Sequence, residues 1–193
     1  KLLELNFDDY SSIHPTISAD GKVLYFSSDR PWGYGGMDLY YVNIEDDKIA
    51  GEITNMGPDI NTKNDEVFPF IFSDKYLFYS SNKGSNQKFN IYLATNKIYN
   101  RWENSILSEP FNSEYDDTSF SIDIKTKTGF ISSNRKGGKG DDDIYAFKFI
   151  PKIEGEADSY NFFGTDTLVV GSNVILKNDR IKMKKNDPLT QLI

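Results

Sequence analysis

The stretch VLYFSSDR, at 23–30, decides the fold, because the chain repeats its pattern twice more at almost even spacing. LFYSSNKG at 77–84 and GFISSNRKG at 129–137 contain the same apolar run followed by a pair of serines. The second serines of the three pairs lie 53 and 52 residues apart. Self-similarity at a fixed period of this size is typical of proteins built from repeated structural units.

Two further phrases recur in a fixed order around each serine pair. After the pair comes a triplet of Asp or Asn, an aliphatic residue and Tyr, which begins at Asp38, Asn90 and Asp143. Three phrases in the same order, three times, predict three copies of one structural unit. The phrases that precede the pairs are FDDYSS at 7–12, NTKNDE at 61–66 and NSEYDD at 112–117.

Each unit reads as four short strands joined by tight connections. In the first unit the Asp-Gly of ADGK suits a hairpin turn, and the Gly-rich DRPWGYGG predicts a loop. Patterns with the period of a helix are absent before residue 180. Repeats of about 50 residues with four antiparallel strands are the signature of β-propeller blades. The predicted strands of the first unit are IHPTIS, VLYFSS, MDLYYVNI and KIAGEIT.

We therefore predict an all-β fold, a partial β-propeller with three legible four-stranded blades over 1–149. The blades cover about 7–60, 61–111 and 112–149, and KLLELN at 1–6 matches the last strand of a blade whose beginning is absent. Propellers usually have four to eight blades, so either further blades follow or the ring is incomplete in this chain.

In this prediction the serine-pair strand is the second strand of each blade. Its aromatic and aliphatic side chains pack between blades, and its small hydroxyls allow close approach or bond locally. The Asp or Asn of the following triplet is expected to bond to the backbone of the loop before it.

The composition limits the functions that are open to the chain. Aromatic residues make up 15% of it and cysteine is absent, which favours a sheet and excludes disulfides and thiolate metal sites. The net charge is −7, and residues 1–151 carry 16 basic against 23 acidic side chains. An acidic surface repels phosphate backbones, which argues against nucleic acid as a partner. No run of about 18 apolar residues exists, so we expect no transmembrane helix.

The repeats resemble a known family. HPTISADGKVLYFSSDRPWGYGGMDLYYV at 14–42 and PFNSEYDDTSFSIDIKTKTGFISSNRKGGKGDDDIYAF at 110–147 resemble the TolB-like, WD-type propeller repeats of Bacteroidetes cell-envelope proteins. In that family the propeller commonly precedes a small carboxypeptidase-regulatory-like β-domain and then an OmpA-like peptidoglycan-binding domain. Its members include PorE-like lipoproteins of type IX secretion and gliding.

The resemblance implies a place in the periplasm, associated with the outer membrane. It implies an outer-membrane or periplasmic protein of the secretion or gliding machinery as one partner. Peptidoglycan would be the second partner, bound through the downstream OmpA-like domain.

The C-terminal segment shows half-patterns of the same family. Residues 150–178 read as a linker or β segment, in which TLVVGSNVILKN at 167–178 resembles the strand that leads into an OmpA-like domain. Residues 179–193 resemble the truncated start of that domain, without the motif that grips peptidoglycan, so no peptidoglycan-binding residue is assigned. These pieces resemble parts of two domains without the strands between them, and the chain opens without Met. We therefore expect a longer native chain, with stretches missing after Asn178 and near 155–162.

A hydrolase built on this chain would have to use His14, the only histidine. No Gly-x-Ser-x-Gly nucleophile elbow occurs, and a lone histidine without a motif is usually structural. SADG at 18–21 differs in spacing from the Asp-box of sialidases, and the chain offers only four arginines for the trio those enzymes need. We predict no enzymatic activity, no catalytic residue and no cofactor.

GGKGDDD at 137–143 raises two binding hypotheses. The Gly-rich backbone followed by Lys suggests phosphate, but the Gly-Lys-Ser/Thr ending is missing and no helix follows. Asp141, Asp142 and Asp143 suggest calcium, but successive strand residues point to opposite faces and the spacing of an EF-hand does not fit. We therefore assign no metal site and keep the three aspartates as candidate partner contacts.

Trp32 and Tyr34 in RPWGYGG are the other candidate partner contacts. A Trp on a Gly-rich loop is expected to be partly exposed, and exposed aromatic side chains mark contacts. The alternative is that Trp32 folds back on its own blade. The favoured function is a non-enzymatic periplasmic scaffold that docks an outer-membrane partner and anchors it to peptidoglycan. The other functions considered are a TolB-like interaction module without an anchor, and the propeller domain of a hydrolase.

Overall fold

The fold is that of a computed structural model, which describes residues 4–97, 101–148, 159–161 and 167–169. All the strands in these ranges belong to antiparallel sheets, and none of the described residues is helical. The predicted all-β class is therefore confirmed. Within the same ranges, no helix is present that could cross a membrane.

Three sheets follow the three repeats of the sequence, each with its strands in chain order. The first sheet contains β1 Ser12–Ile17, β2 Val23–Ser28, β3 Asp38–Glu45 and β4 Lys48–Asn55. The second contains β5 Glu66–Ser73, β6 Tyr76–Ser81, β7 Asn90–Asn96 and β8 Trp102–Ile106. The third contains β9 Asp117–Asp123, β10 Thr128–Ser133 and β11 Asp143–Lys148, and a separate pair joins β12 Ser159–Asn161 to β13 Thr167–Val169.

The predicted design of four antiparallel strands is confirmed for the first two sheets. The position of a fourth strand in the third sheet falls after Lys148, outside the described residues. In every sheet the serine-pair strand lies beside the Asx-aliphatic-Tyr strand, as predicted, and the register is the same each time. The second serine faces the Asp or Asn in the pairs Ser28 with Asp38, Ser81 with Asn90, and Ser133 with Asp143.

The two serines have different roles in the first and second pairs. The hydroxyls of Ser27 and Ser80 are buried without a hydrogen-bond partner in the described part of the chain, so these residues serve as small side chains in close packing. The hydroxyl of Ser28 donates to the carbonyl of Ser11 (2.6 Å), and that of Ser81 donates to the Glu66 carboxylate (2.6 Å). Both predicted roles therefore occur: the first serine of the pair allows close approach, and the second forms a local hydrogen bond.

The sheets pack side by side, with β1 against β5 and β5 against β9. One apolar cluster joins the first sheet to the second and contains Leu39, Ile60 and Tyr79. Another joins the second sheet to the third and contains Phe78 and Phe120. The predicted packing of the serine-pair strands between repeats is therefore confirmed.

The stretch predicted as the last strand of an absent blade is not a strand in its described part. Residues 4 and 5 form a turn instead of a strand. The physical reason is that Leu5 is buried in a third apolar cluster, with Phe26, Tyr40 and Val42 of the first sheet.

The last sheet differs from the others in its outward face. Phe130 is 48% exposed and Ile144 is 78% exposed. The residues at the same register in the second sheet, Phe78 and Ile91, are fully buried by the third sheet. The assignments made for 150–178 and 179–193 lie outside the described residues, apart from β12 and β13.

Candidate functional site: the loop end of the sheets

The connections between second and third strands gather at one end of the sheets, which we call the loop end. Because the strands are antiparallel, the segments that enter β5 and β9 reach the same end. Four of the partner contacts predicted from the sequence, Trp32, Tyr34, Asp141 and Asp142, lie there, and Asp143 begins the strand that follows. The loop end consists of residues 29–37, 82–89 and 134–142.

An asparagine joins each of the later sheets to the sheet before it. The Asn61 side chain accepts a bond from the backbone N–H of Leu39 (2.8 Å) and donates to its carbonyl (2.9 Å). Asn112 forms the same pair of bonds with Ile91 (2.7 and 2.9 Å). We call this arrangement the asparagine clamp. It satisfies the backbone of a third strand from outside its own sheet.

An aspartate fixes each loop of the first two sheets to the following sheet. The carboxylate of Asp65 accepts from the backbone N–H of Met37 (2.9 Å), and that of Asp116 accepts from Phe89 (2.9 Å). Both aspartates also form hydrogen bonds with an asparagine that follows a serine pair. The backbone N–H of Asp65 donates to Asn82 Oδ1 (2.9 Å), and the amide of Asn82 donates to the Asp65 carboxylate (3.1 Å). The loops are therefore anchored at their C-terminal ends.

Asp38 holds the loop that carries Trp32. Its carboxylate accepts from the backbone N–H of Tyr34 (2.6 Å) and of Gly35 (3.2 Å). Gly35 lies directly against the backbone at 62–64, where a Cβ would clash, so glycine is required for this approach. The predicted bond between the triplet Asp and the preceding loop is confirmed here.

The loop thus held presents an exposed aromatic side chain. Trp32 is 97% exposed and Tyr34 is 49% exposed, so Trp32 does not fold back on its own sheet. The φ of Trp32 is 70°, in the left-handed region that bulky side chains rarely adopt. Such a conformation costs about 1–3 kcal/mol and persists only where the surroundings enforce it.

The acidic residues lie on the corresponding loop of the third sheet. Asp143 is half-buried, and its carboxylate accepts from the backbone N–H of Lys139 (2.7 Å) and of Gly140 (3.2 Å). Asp141 and Asp142 are exposed. Asp143 therefore supports its loop in the way that Asp38 does, and the whole second sheet separates this loop from that of Trp32.

A basic residue two positions after each serine pair lies beneath the loop end, and sequence reasoning missed it. The guanidinium of Arg30 lies 4.7 Å from the ring centroid of Tyr40 and 5.1 Å from that of Tyr10. Lys83 Nζ donates to the hydroxyl of Tyr79 (2.7 Å) and lies 4.2 Å from the ring centroid of Tyr92. The signal was visible in the quoted phrases, as the R or K of SSDR, SSNK and SSNR.

Arg135 is the third of these cations and the only one with a directly bonded carboxylate in the described residues. It donates to the fully buried Asp117 (2.6 Å) and to the carbonyls of Pro110 (2.9 Å) and Phe111 (3.1 Å). These bonds reach back to the segment that carries the asparagine clamp. Arg135 therefore ties the end of β10 to that segment.

Burial governs the titration of the cations and of their neighbour Glu66. It lowers the pKa of Arg30 and the pKa of Lys83 below their ordinary values. It raises the pKa of Glu66, although bonds from Ser81 and Thr62 favour the ionised carboxylate and oppose the shift. Because rings and acceptors of the protein itself hold these groups, we assign them to support of the loops.

His14 lies on β1 and stacks on Phe68 of β5, with ring centroids 3.7 Å apart. Its φ is 53°, and Phe68 and Ser119 have φ values of 51° and 55° at the same place in their sheets. All three occur at irregularities of register, which marks a bulge repeated in each first strand. The three bulges line one cavity of about 290 Å³.

The surroundings of His14 give it no catalytic partner at Nδ1. That atom is buried without a hydrogen-bond partner in the described part of the chain, and burial lowers the pKa of the imidazole. A general base must lie within hydrogen-bond reach of a nucleophile, and Nδ1 does not. Among the residues that the structure describes, no group of three or more His, Asp or Glu side chains is placed to hold a metal ion.

Comparison with known proteins adds no family to these observations. No protein-family model matches the chain, and no curated protein matches it.

Proposed function

We propose that the chain is part of a β-propeller and works as a non-enzymatic scaffold that docks a protein partner at the loop end. The shared design of the sheets supports this, since strand order, register and the asparagine clamp recur from one repeat to the next. Four-stranded antiparallel sheets packed side by side are the construction of propeller blades.

The observation that carries the docking proposal is Trp32. Exposed Trp side chains are strongly enriched among residues that dominate binding energy. Trp32 combines nearly full exposure with a strained backbone, on a loop held by Asp38 and Asp65. A rigid loop loses little conformational entropy when a partner binds, so the anchor is preorganised.

The proposed setting is the periplasm, associated with the outer membrane, in type IX secretion or gliding. A downstream OmpA-like domain would anchor the assembly to peptidoglycan. This part of the proposal is supported by the sequence resemblance, and the acidic charge of residues 1–151 is compatible with it.

The docking proposal is tested by capture of partners from an envelope fraction with immobilised protein. We expect Trp32→Ala to reduce the captured partner at least tenfold, because a central Trp contributes about 2 kcal/mol or more to binding. The matched control is Ile17→Ala, which removes an exposed apolar side chain at the opposite end of the sheets. Equal capture by Trp32→Ala and the unaltered protein would contradict the proposal.

The acidic loop is tested separately by charge reversal. Asp141→Lys with Asp142→Lys changes exposed charge without touching the structural carboxylate of Asp143. If this loop contributes to docking, the association rate falls and its dependence on salt changes. The control is Glu45→Lys with Glu52→Lys, which makes the same change of charge on exposed positions of β3 and β4.

The anchoring part is tested by sedimentation of the full-length protein with purified peptidoglycan. We expect the full-length protein to sediment and a fragment limited to residues 1–149 to stay in solution. If the fragment sediments equally well, peptidoglycan binding does not require a downstream domain.

A further inference from the structure

The first and second sheets leave an open cavity of about 330 Å³ between them. Its walls come from β2, β3 and the end of β4 in the first sheet, and from β7 and β8 in the second. Aromatic side chains and amides dominate its lining. The lining residues are Tyr25, Tyr41, Asn55, Met56, Asn96 and Trp102.

The corresponding region between the second and third sheets is filled. Phe78 stands at the position of Tyr25 and stacks on Phe120, with ring centroids 4.1 Å apart. Phe147 stands at the position of Ala94 and is fully buried against Phe120. The same scaffold can therefore close this space with phenylalanine, and the first interface instead has hydroxylated rings around an open space.

The cavity contains polar groups that call for a ligand with hydroxyl groups. The Oδ1 atom of Asn96 is buried without a hydrogen-bond partner in the described part of the chain, and an unsatisfied buried acceptor costs about 1–3 kcal/mol. The hydroxyl of Tyr25 is both a donor and an acceptor. Burial, and next the charge of Asp74, raise the pKa of Tyr25 to about 12, so this hydroxyl keeps its proton at neutral pH.

The indole of Trp102 provides a wall that is fixed from outside the cavity. The backbone N–H of Trp102 donates to Asp59 (3.1 Å), and Arg101 donates to the same carboxylate through two nitrogens (2.7 and 3.1 Å). These bonds join the start of β8 to the segment that leads out of the first sheet. A wall held in this way keeps its position when a ligand enters.

We infer that this cavity binds a single sugar ring in the pyranose form. The C–H face of the ring would lie on the aromatic walls, whose π-faces carry partial negative charge. Its hydroxyls would donate to Asn96 Oδ1 and bond with the Tyr25 hydroxyl. The volume lies at the lower end of the range for ligand pockets, about 300–1,000 Å³, which suits one ring better than a chain. The inference does not depend on whether Trp32 docks a partner.

The test uses the fluorescence of Trp102 in the full chain carrying Trp32→Phe, because the sequence has only two tryptophans. Glucose, galactose and N-acetylglucosamine are titrated separately, with glycerol as the control for viscosity and hydroxyl content. We expect a saturable change with at least one sugar at a Kd of about 1 mM, the affinity typical of so small a ligand. If none of the three sugars gives a saturable change beyond that of glycerol, the inference is wrong.

Two variants decide whether the binding uses this cavity. Asn96→Ala is expected to weaken binding about tenfold with little change of melting temperature, since it removes an unsatisfied acceptor and only one long, exposed bond, from Asn96 Nδ2 to the Asp74 carbonyl (3.4 Å). Tyr25→Phe keeps the ring and is expected to weaken binding by a smaller factor. Asn43→Ala, an exposed asparagine of β3, is the matched control and should bind as the parent does. Unchanged binding by Asn96→Ala would place the sugar elsewhere and overturn the inference.

Discussion

Tyrosines line the interface between the first and second sheets, and phenylalanines fill the interface between the second and third. At the first interface the rings of Tyr79 and Tyr92 stack at 5.6 Å, and the Tyr79 hydroxyl donates to Asn104 (2.8 Å). At the second, Phe78 and Phe120 stack at 4.1 Å with no polar atom in either ring. The clamp between the sheets is nevertheless the same at both.

The comparison shows which parts of the repeat are fixed and which are free to vary. The bonds that set the position of one sheet against the next come from an asparagine and an aspartate in the connecting segment. Those bonds are kept, so the side chains between the sheets can change without a change of geometry. One interface becomes a solid core, and the other keeps a cavity with polar walls.

The largest effect is expected from truncating the aromatic core of the second interface. Phe120→Ala should lower the free energy of unfolding by about 3–5 kcal/mol, because the ring is buried among other rings and leaves a cavity. Tyr25→Ala should cost less, about 2 kcal/mol, because its ring already borders open space. Urea denaturation followed by circular dichroism measures both. Equal losses would show that the two interfaces are packed alike.

The clamp should contribute equally to both interfaces. Asn61→Ala and Asn112→Ala each leave a buried backbone N–H and a buried carbonyl without these bonds, which should cost about 2–3 kcal/mol. Asn64→Ala, a half-exposed asparagine of the same connection, should change stability by no more than about 0.5 kcal/mol. A large loss at one clamp and none at the other would contradict the shared plan.

A smaller effect, in the opposite direction, is expected at the loops that cross the two interfaces. Trp32 and Gln87 both have positive φ, 70° and 55°, and glycine adopts this conformation without strain. Trp32→Gly and Gln87→Gly should each raise the free energy of unfolding by about 0.5–1 kcal/mol. Thermal denaturation measures the change. Only Trp32→Gly should also lose partner capture. This result would distinguish the backbone strain at Trp32, which serves binding, from the strain at Gln87, which does not.

The smallest effect concerns the pH dependence of stability at the first interface. Burial raises the pKa of Glu66 in the folded protein, so its protonated form favours folding. Its contribution is present in full below the unfolded pKa and is lost as pH rises through the raised, folded pKa. The advantage of the unaltered protein over Glu66→Gln should therefore be largest in acid and shrink as the pH rises through the raised pKa of Glu66. Denaturation at intervals of pH gives the difference, and the opposite slope would show that bonds to the carboxylate outweigh burial.

The strands and their order could be predicted from the sequence because alternation, turn residues and the repeat all agree. The Asp-Gly of ADGK, the serine pair and the Asx-aliphatic-Tyr triplet each act locally, and the structure places them where the sequence indicated. The bond from Asp38 to its loop was also predictable, since it spans only a few residues.

The parts that could not be predicted depend on contacts between repeats. The left-handed residues of the first strands are His14, Phe68 and Ser119, which share no chemical type, so only the packing of neighbouring first strands reveals them. The cavity is lined by Tyr25, whereas the counterpart Phe78 packs on Phe120, a difference that acquires meaning only when the two interfaces are compared. The asparagines of the clamp were visible in NTKNDE and NSEYDD, but their backbone partners lie more than twenty residues away in the preceding sheet.

The asparagine clamp has a consequence for how such a chain changes in length. Each clamp joins a unit only to the unit before it, so a unit of about 50 residues contains the residues that attach it to its neighbour. Duplication of one unit in a gene would add a sheet and leave every older clamp intact. An insertion of a single residue between Asn61 and Glu66 would instead misplace Asp65 against the Met37 loop. Whole units can therefore be gained or lost more readily than single residues within a connection.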